Sequence, residues 1–217
     1  MNSTLLPDTY APEDLCFATI AASLTEKGYC ILPDALPSQL AFELAAHAQN
    51  LSDEQYFNAG IGRANQHMTN RFVRGDEVCW IEGQSEIGRQ WLEWTERLRV
   101  YLNRHLFLGL FSFESHFAHY PPGTFYKTHL DAFKGQSNRI LSVVTYLNHQ
   151  WMPDEGGEMV IYVGDDNVKV TPALGTLAIF LSEEFPHEVL PTHRDRYSIA
   201  GWFRLNTSIG DQIDPPQ

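Results

Sequence analysis

The chain is poor in cysteine, in positive charge and in long apolar runs, and each shortage narrows what it can be. Its three cysteines, Cys16, Cys30 and Cys79, cannot all pair within one chain, and none belongs to a CxxC element, which fits a reducing cytoplasm rather than a disulfide framework. Fifteen lysines and arginines face 27 aspartates and glutamates, a formal net charge of −12. That balance disfavours tight non-specific binding to nucleic acid or anionic membrane, both of which attract basic surfaces. A basic protein partner suits it better. No apolar run approaches the ~18–20 residues needed to cross a bilayer, and Met1-Asn2-Ser3-Thr4-Leu5-Leu6-Pro7 lacks the basic segment and apolar core of a signal peptide. A cytoplasmic protein with no nucleic-acid and no membrane partner is expected.

What is present is core-forming material. With 217 residues, 43% hydrophobic and 12% aromatic, the chain suits one domain over 1–217, with helical support to about residue 110 and a β-core over about 111–206. Pro12 and the acidic pair Glu13-Asp14 open a helical pattern that closes at Gly28, with Phe17, Ile20, Ala21 and Leu24 at i, i+3, i+4, i+7 spacing. A short strand follows through Gly28-Tyr29-Cys30-Ile31-Leu32. A second helix is predicted from Ser38, and a third over about Ile87–Leu106 with Trp91, Trp94, Leu98 and Tyr101 as a core stripe. Asn58 to Asn70, rich in Gly and Asn, reads as a loop or irregular hairpin. After Phe111 the period changes. Strands are predicted at Phe113–Tyr120, Arg139–Leu147, Glu158–Tyr162, Val168–Val170, Thr176–Phe180, His187–Val189 and Arg196–Phe203. Helices first and strands later define an α+β chain whose helices buttress a sheet sandwich or small barrel.

The informative element is His129-Leu130-Asp131. On a strand, residues i and i+2 share a face, so an imidazole and a carboxylate would project together. With a third ligand from elsewhere they could hold a divalent metal and leave positions open for substrate and oxygen. Alone the pair carries little weight in a chain with nine histidines. Three further features give it weight. His187 lies 56 positions after Asp131 and opens a predicted strand. Arg196 lies nine positions after His187, in an alternating run that could aim a guanidinium into the same cavity and grip a carboxylate bidentately. Tyr120 and Tyr146 lie on the strands flanking the pair, where their hydroxyls could complete an acid's hydrogen bonding. Such a set suits chelation of 2-oxoglutarate on Fe(II). His119, His149 and His193 read as structural or surface residues, Arg204 as a strand-end charge, and Gly156-Gly157 as a turn.

These residues resemble the 2-oxoglutarate-dependent dioxygenases built on a double-stranded β-helix, a jelly-roll or cupin-like core. More narrowly, they resemble the prolyl hydroxylases related to the hypoxia-inducible-factor hydroxylases and the bacterial prolyl 4-hydroxylases. The matching stretches are Tyr120-Pro121-Pro122-Gly123-Thr124-Phe125-Tyr126-Lys127-Thr128-His129-Leu130-Asp131, Arg139 ahead of Tyr146-Leu147-Asn148, Gly156-Gly157, His187-Glu188-Val189 and Arg196-Tyr197, with Arg74-Gly75-Asp76-Glu77-Val78-Cys79-Trp80-Ile81-Glu82-Gly83 upstream. The resemblance implies iron ligation by His129, Asp131 and His187. It implies cosubstrate binding by Arg196 and Tyr146, with Tyr120 near the metal-side carboxylate. It also implies an Asp76–Arg139 pair near the substrate entrance and Trp202 in the pocket lining, with Val144 and Ile179 as further apolar neighbours. Fe(II), 2-oxoglutarate and O2 would be the reaction components, ascorbate a supporting reductant, succinate and CO2 the co-products. The implied substrate is a protein carrying a target proline, for which a translation-machinery protein is one candidate. Ala200 departs from the pattern, standing where these hydroxylases can carry a hydroxyl residue. A small-molecule hydroxylase and a non-catalytic cupin-like module are the alternatives. A nucleic-acid demethylase fits less well, because position 202 is Trp where those enzymes carry a second arginine.

Overall fold

The computed structural model describes residues 12–52, 55–58, 73–132 and 138–206. Three helices come early. Helix α1 (Pro12–Lys27) carries Glu13 and Asp14 in its first turn and Lys27 in its last, matching the signs of the helix dipole. Helix α2 (Ser38–Asn50) buries Leu40, Ala41, Leu44, Ala45 and Ala48. Helix α3 (Glu86–Leu106) starts at Ser85, whose Oγ accepts the Gly88 amide at 3.1 Å. It buries Trp91, Trp94, Leu98 and Leu102 completely.

Among the described residues eleven strands accompany them: β1 (Tyr29–Leu32), β2 (Phe57–Asn58), β3 (Glu77–Trp80), β4 (Ser112–Tyr120), β5 (Tyr126–His129), β6 (Arg139–Tyr146), β7 (Met159–Val163), β8 (Asp166–Val170), β9 (Leu177–Leu181), β10 (His187–Val189) and β11 (Arg196–Arg204). They form a seven-stranded sheet in the order β1-β9-β6-β11-β4-β3-β2 and a four-stranded sheet in the order β5-β10-β7-β8. Every strand pairing is antiparallel.

The strand period of two gives the large sheet two different faces. Phe117, Leu141, Val143, Leu177, Ile179, Ile199 and Phe203 point to one face and pack with the helical stripes, including Trp91, Trp94 and Leu98. Their chain neighbours point the other way. There Tyr146, Ala178 and Phe180 meet Met159, Ile161 and Val170 of the small sheet, with Phe185 between. The large sheet is thus sandwiched between helices and the small sheet, and the candidate ligands sit on the small-sheet side.

The α+β layout follows the sequence expectation, and each predicted later strand is found within two residues of its expected ends. Three details differ. The N-terminal part does more than buttress: the expected strand β1 pairs with β9, and an unexpected strand, β3, pairs with β4, which extends the large sheet at both edges. Ile179 belongs to the helix-side core, because its pairing with Val143 fixes β9 in the opposite phase; Ala178 and Phe180 face the small sheet instead. Finally, β5 ends at His129, so Asp131 lies in a bend rather than on the strand. The expected loop after Asn58 lies outside the described residues as far as residue 72. Cys16, Cys30 and Cys79 are free thiols, and among the described residues no helix is long and apolar enough to cross a membrane.

Candidate active site

His129 and His187 are direct cross-strand partners on β5 and β10, with ring centroids 4.3 Å apart. The chain bends after His129 and brings Asp131 between them. Asp131 Oδ1 lies 3.6 Å from His129 Nε2, and Oδ2 lies 3.6 Å from His187 Nε2. Ligand atoms of all three residues fall within 4.8 Å of one another. Each is held from behind. His129 Nδ1 bonds the Lys127 carbonyl oxygen at 2.8 Å, and His187 Nδ1 bonds the Phe185 carbonyl oxygen at 3.1 Å. These contacts turn both Nε2 atoms toward Asp131, an orientation typical of metal-ligating histidines. Ser142 Oγ donates to Asp131 Oδ2 at 2.6 Å and contacts Ser182 Oγ at 2.9 Å. Burial opposes ionisation of Asp131, but the adjacent His187 and His129 and the Ser142 hydroxyl hold its carboxyl well below the usual range. Burial also lowers the His187 pKa, against the pull of Asp131, which favours the neutral imidazole a metal requires.

Deeper in the sandwich lies Arg196, only 1% exposed. Nε donates to the Gly157 carbonyl oxygen at 2.8 Å and Nη1 to Ser198 Oγ at 3.2 Å. Its guanidinium carbon stands 4.9 Å from the Tyr120 ring centre and 5.1 Å from that of Tyr146. No carboxylate forms an ion pair with Arg196 among the described residues; the neighbouring Asp195 contacts His119 Nε2 at 2.8 Å instead. Gly157 permits the approach, since at its φ of +70° a Cβ would crowd Arg196 Cδ and Thr192 at 3.1 Å. Beside the cation, the buried Tyr146 hydroxyl has no hydrogen-bond partner among the described residues. Burial pushes this phenol up to about 12 although Arg196 pulls it down, so it is a neutral donor.

A buried cation without a counter-ion and a buried hydroxyl without a partner are both costly unless something fills the space. Together they fit one carboxylate of an elongated dianion. The two imidazoles and the carboxylate fit a divalent metal with open positions. The donor sets therefore suit both iron and 2-oxoglutarate.

The substrate-side expectations fare differently. Asp76 does not pair with Arg139. It is claimed by Arg74, two residues away, whose Nε and Nη2 reach Asp76 Oδ1 and Oδ2 at 2.7 and 2.5 Å. Arg139 instead bonds Glu114 Oε1 through Nε and Nη2 at 3.0 and 2.7 Å, and lies 3.7 Å over the Trp202 ring. Glu114 is also 3.4 Å from Arg204, which makes that residue more than an isolated strand-end charge. Trp202 is on the pocket-facing side of β11. Among the described residues its Nε1 is buried without a partner, as is Nδ1 of His116, whose ring is 5.5 Å away. Burial, then the cation of Arg74, push the His116 pKa down to about 3. Sequence reasoning misses Ser142, His116 and Arg74. Ser142 and Tyr146 are four apart on one strand and therefore share a face, a signal that alternation alone contains.

Comparison with known proteins agrees with this geometry. The profile of the 2OG-Fe(II) oxygenase superfamily matches residues 115–204. A crystal structure of a prolyl-4-hydroxylase from Pseudomonas putida is 40% identical, with a TM-score of 0.78 over 87% of this chain and 98% of that one. The chain thus belongs to the 2OG-Fe(II) oxygenase superfamily, whose members use Fe(II), 2-oxoglutarate and O2. A prolyl hydroxylase from Trichoplax adhaerens, solved with a peptide fragment of the hypoxia-inducible-factor oxygen degradation domain, is 26% identical with a TM-score of 0.80, covering 90% of this chain and 94% of that one. Human Egl nine homolog 1 is 26% identical over 200 residues, 87% of this chain and 46% of the relative. The chain spans about half the length of the Egl nine homolog 1 proteins it matches.

Proposed function

We propose that this chain is an Fe(II)- and 2-oxoglutarate-dependent dioxygenase that hydroxylates a prolyl residue of a protein substrate, releasing succinate and CO2. The observation that carries the cosubstrate reading is Arg196, a buried cation with no carboxylate partner among the described residues, beside the unpartnered Tyr146 hydroxyl. The substrate class rests on the prolyl hydroxylases among its relatives, above all the one that is 40% identical. The cytoplasm is the proposed location, in keeping with three unpaired thiols.

His129, Asp131 and His187 would hold the iron, and Arg196 and Tyr146 the distal carboxylate of 2-oxoglutarate, with Tyr120 beside the cosubstrate. Once bound, iron and cosubstrate together supply the oxidising power that places an oxygen atom in a C–H bond. The chain's own residues orient and shelter. The Lys127 and Phe185 carbonyl groups keep each imidazole's Nε2 available, and Ser142 steadies the Asp131 carboxylate. Arg196 and Tyr146 fix the length of acid that fits, because charge and hydroxyl are both held fully buried inside the sandwich. Val144 and Phe180, packed in the apolar cluster around Tyr146, exclude water from its surroundings.

The test is an anaerobic titration with Fe(II) and 2-oxoglutarate, following the visible charge-transfer band of the chelate. Wild type develops the band; His129→Ala and Arg196→Ala lose or weaken it. A wild type that takes up neither metal nor acid would mark a scaffold without the chemistry. Mass spectrometry of proline-containing peptides after aerobic turnover then tests the substrate class, where a gain of one oxygen on proline is expected.

A further inference from the structure

His129 is the least enclosed of the three candidate ligands, its side chain 19% exposed against 11% for Asp131 and 6% for His187. It is also carried by β5, an edge strand of the small sheet. An edge strand has one row of backbone groups without a sheet neighbour, yet a metal ligand must be held to within a fraction of an ångström. Asp131 has Ser142 behind it, and His187 sits on β10, paired on both sides. What steadies His129 lies some fifty residues earlier in the chain, in segment 73–76.

That segment reaches β5 by two routes. Along the main chain, the Lys127 amide donates to the Val73 carbonyl oxygen at 2.8 Å, the Gly75 amide to that of Phe125 at 3.0 Å, and Arg74 forms a β-bridge with Tyr126. Lys127 is the residue whose carbonyl oxygen holds His129 Nδ1. Through side chains, Asp76, 1% exposed, grips Arg74 with both oxygens. The guanidinium carbon lies 4.4 Å from the Tyr126 ring centre. The Tyr126 ring in turn stacks on His129, centroids 3.7 Å apart and planes 17° from parallel. A planar cation fixed bidentately has little rotamer freedom left, and a cation over an aromatic ring restrains that ring.

We infer that Arg74, locked by Asp76, is a positioning residue for His129, acting through the Tyr126 ring. The inference rests on the reading of His129, Asp131 and His187 as the metal site, and it gives the Arg74–Asp76 pair a role at the metal. In this role the charge of Arg74 never meets iron. It limits tilting of Tyr126, and Tyr126 limits rotation of the imidazole about its own bond to the strand.

The probe is Mn(II) alone, titrated into the full chain, alongside a thermal melt and the Fe(II)–2-oxoglutarate absorption band. Arg74→Gln and Tyr126→Leu are expected to weaken Mn(II) binding roughly 10–100-fold, the usual effect of losing a partner behind a ligand, and to shift or broaden the band. Tyr126→Phe keeps the stacked ring and should bind Mn(II) as wild type does. Arg74→Lys keeps charge but not the fork and should fall between. Arg74→Gln with wild-type Mn(II) affinity, or with a lowered melting temperature and nothing else, overturns the inference. So does Tyr126→Phe binding as weakly as Tyr126→Leu, because the hydroxyl rather than the stack would then matter. Failure of wild type itself to bind Mn(II) removes the metal reading underneath and the inference with it.

Discussion

The two faces of the seven-stranded sheet are built on opposite rules. On the helix side, Leu141, Leu177, Ile179, Ile199 and Phe203 are wholly buried and meet the tryptophans and leucines of α3. On the side toward the small sheet, equally buried positions hold Ser142, Tyr146, Arg196 and Ser198, and polar atoms of His116, Tyr146 and Trp202 on this side have no partner among the described residues, against Trp94 Nε1 alone on the helix side. The backbone between the faces is the same, and alternate residues of β6 and β11 serve both. Apolar burial at ~25 cal/mol per Å² stabilises the fold, whereas unsatisfied buried polar groups cost it roughly 1–3 kcal/mol each. The difference teaches that one face supplies the stability that lets the other remain incomplete until ligands arrive.

The largest expected effect tests the incomplete face. His129→Ala removes a proposed metal ligand from a partly exposed position, so Mn(II) affinity should fall more than the ~100-fold seen at most for an outer partner, while the melting temperature stays within a few degrees of wild type. Leu98→Ala should do the reverse. Leu98 is completely buried on the helix side, and its truncation should cost about 2–5 kcal/mol, or ~10 °C in melting temperature for a chain of this size. Folded Leu98→Ala should still bind Mn(II) with wild-type affinity. A parallel loss of metal binding would break the proposed division of labour between the faces.

Much of this division is legible in the sequence, and the misreadings have physical causes. The nine-residue β11 is long and regular enough that the strand period puts Arg196, Ser198, Ala200 and Trp202 on one face. The candidate ligand trio is harder. Its members meet through a cross-strand pairing of His129 with His187 that no local period encodes, so spacing and family resemblance have to carry it. Ile179 is easily put on the wrong face because strand phase is set by pairing with β6, and a strand start misplaced by one residue inverts every side chain. Asp76 invites the wrong partner although Arg74 stands two residues away, where side chains share a face in extended chain. Two arginines could reach that carboxylate in principle; Glu114, directly across from Trp202 in the sheet, takes the other one.

Arg196 offers a sharper comparison, since here the two faces predict opposite signs. Removing a large buried apolar side chain from the helix side always destabilises. Replacing a buried cation that has no counter-ion by an apolar side chain of similar length need not, because the desolvation cost disappears with the charge. Arg196→Met should therefore melt no lower than wild type without ligands. With Mn(II) present, 2-oxoglutarate at a hundredfold excess over its Kd should stabilise wild type by about 2.7 kcal/mol and leave Arg196→Met unmoved at the same concentration. A variant that loses several kcal/mol before any ligand is added would show that Arg196 is a structural element, not a waiting cation.

The smallest effects come from two conservative changes on neighbouring strands, and they separate the faces most finely. Ser142 Oγ donates to Asp131 from the pocket side of β6, so Ser142→Ala should weaken Mn(II) binding roughly tenfold, as for other residues behind a ligand. One deleted hydroxyl leaves the apolar packing intact, and the melting temperature should barely change. Ile199 sits in β11 between Ser198 and Ala200, wholly buried against the helices. Ile199→Val removes one methylene and should cost about 0.5–1.5 kcal/mol, a fall of a few degrees, with Mn(II) affinity unchanged. The two residues are separated by a single backbone layer. If both variants moved both quantities, packing strain would be passing through the sheet, and stability and ligand binding could not be assigned to separate faces.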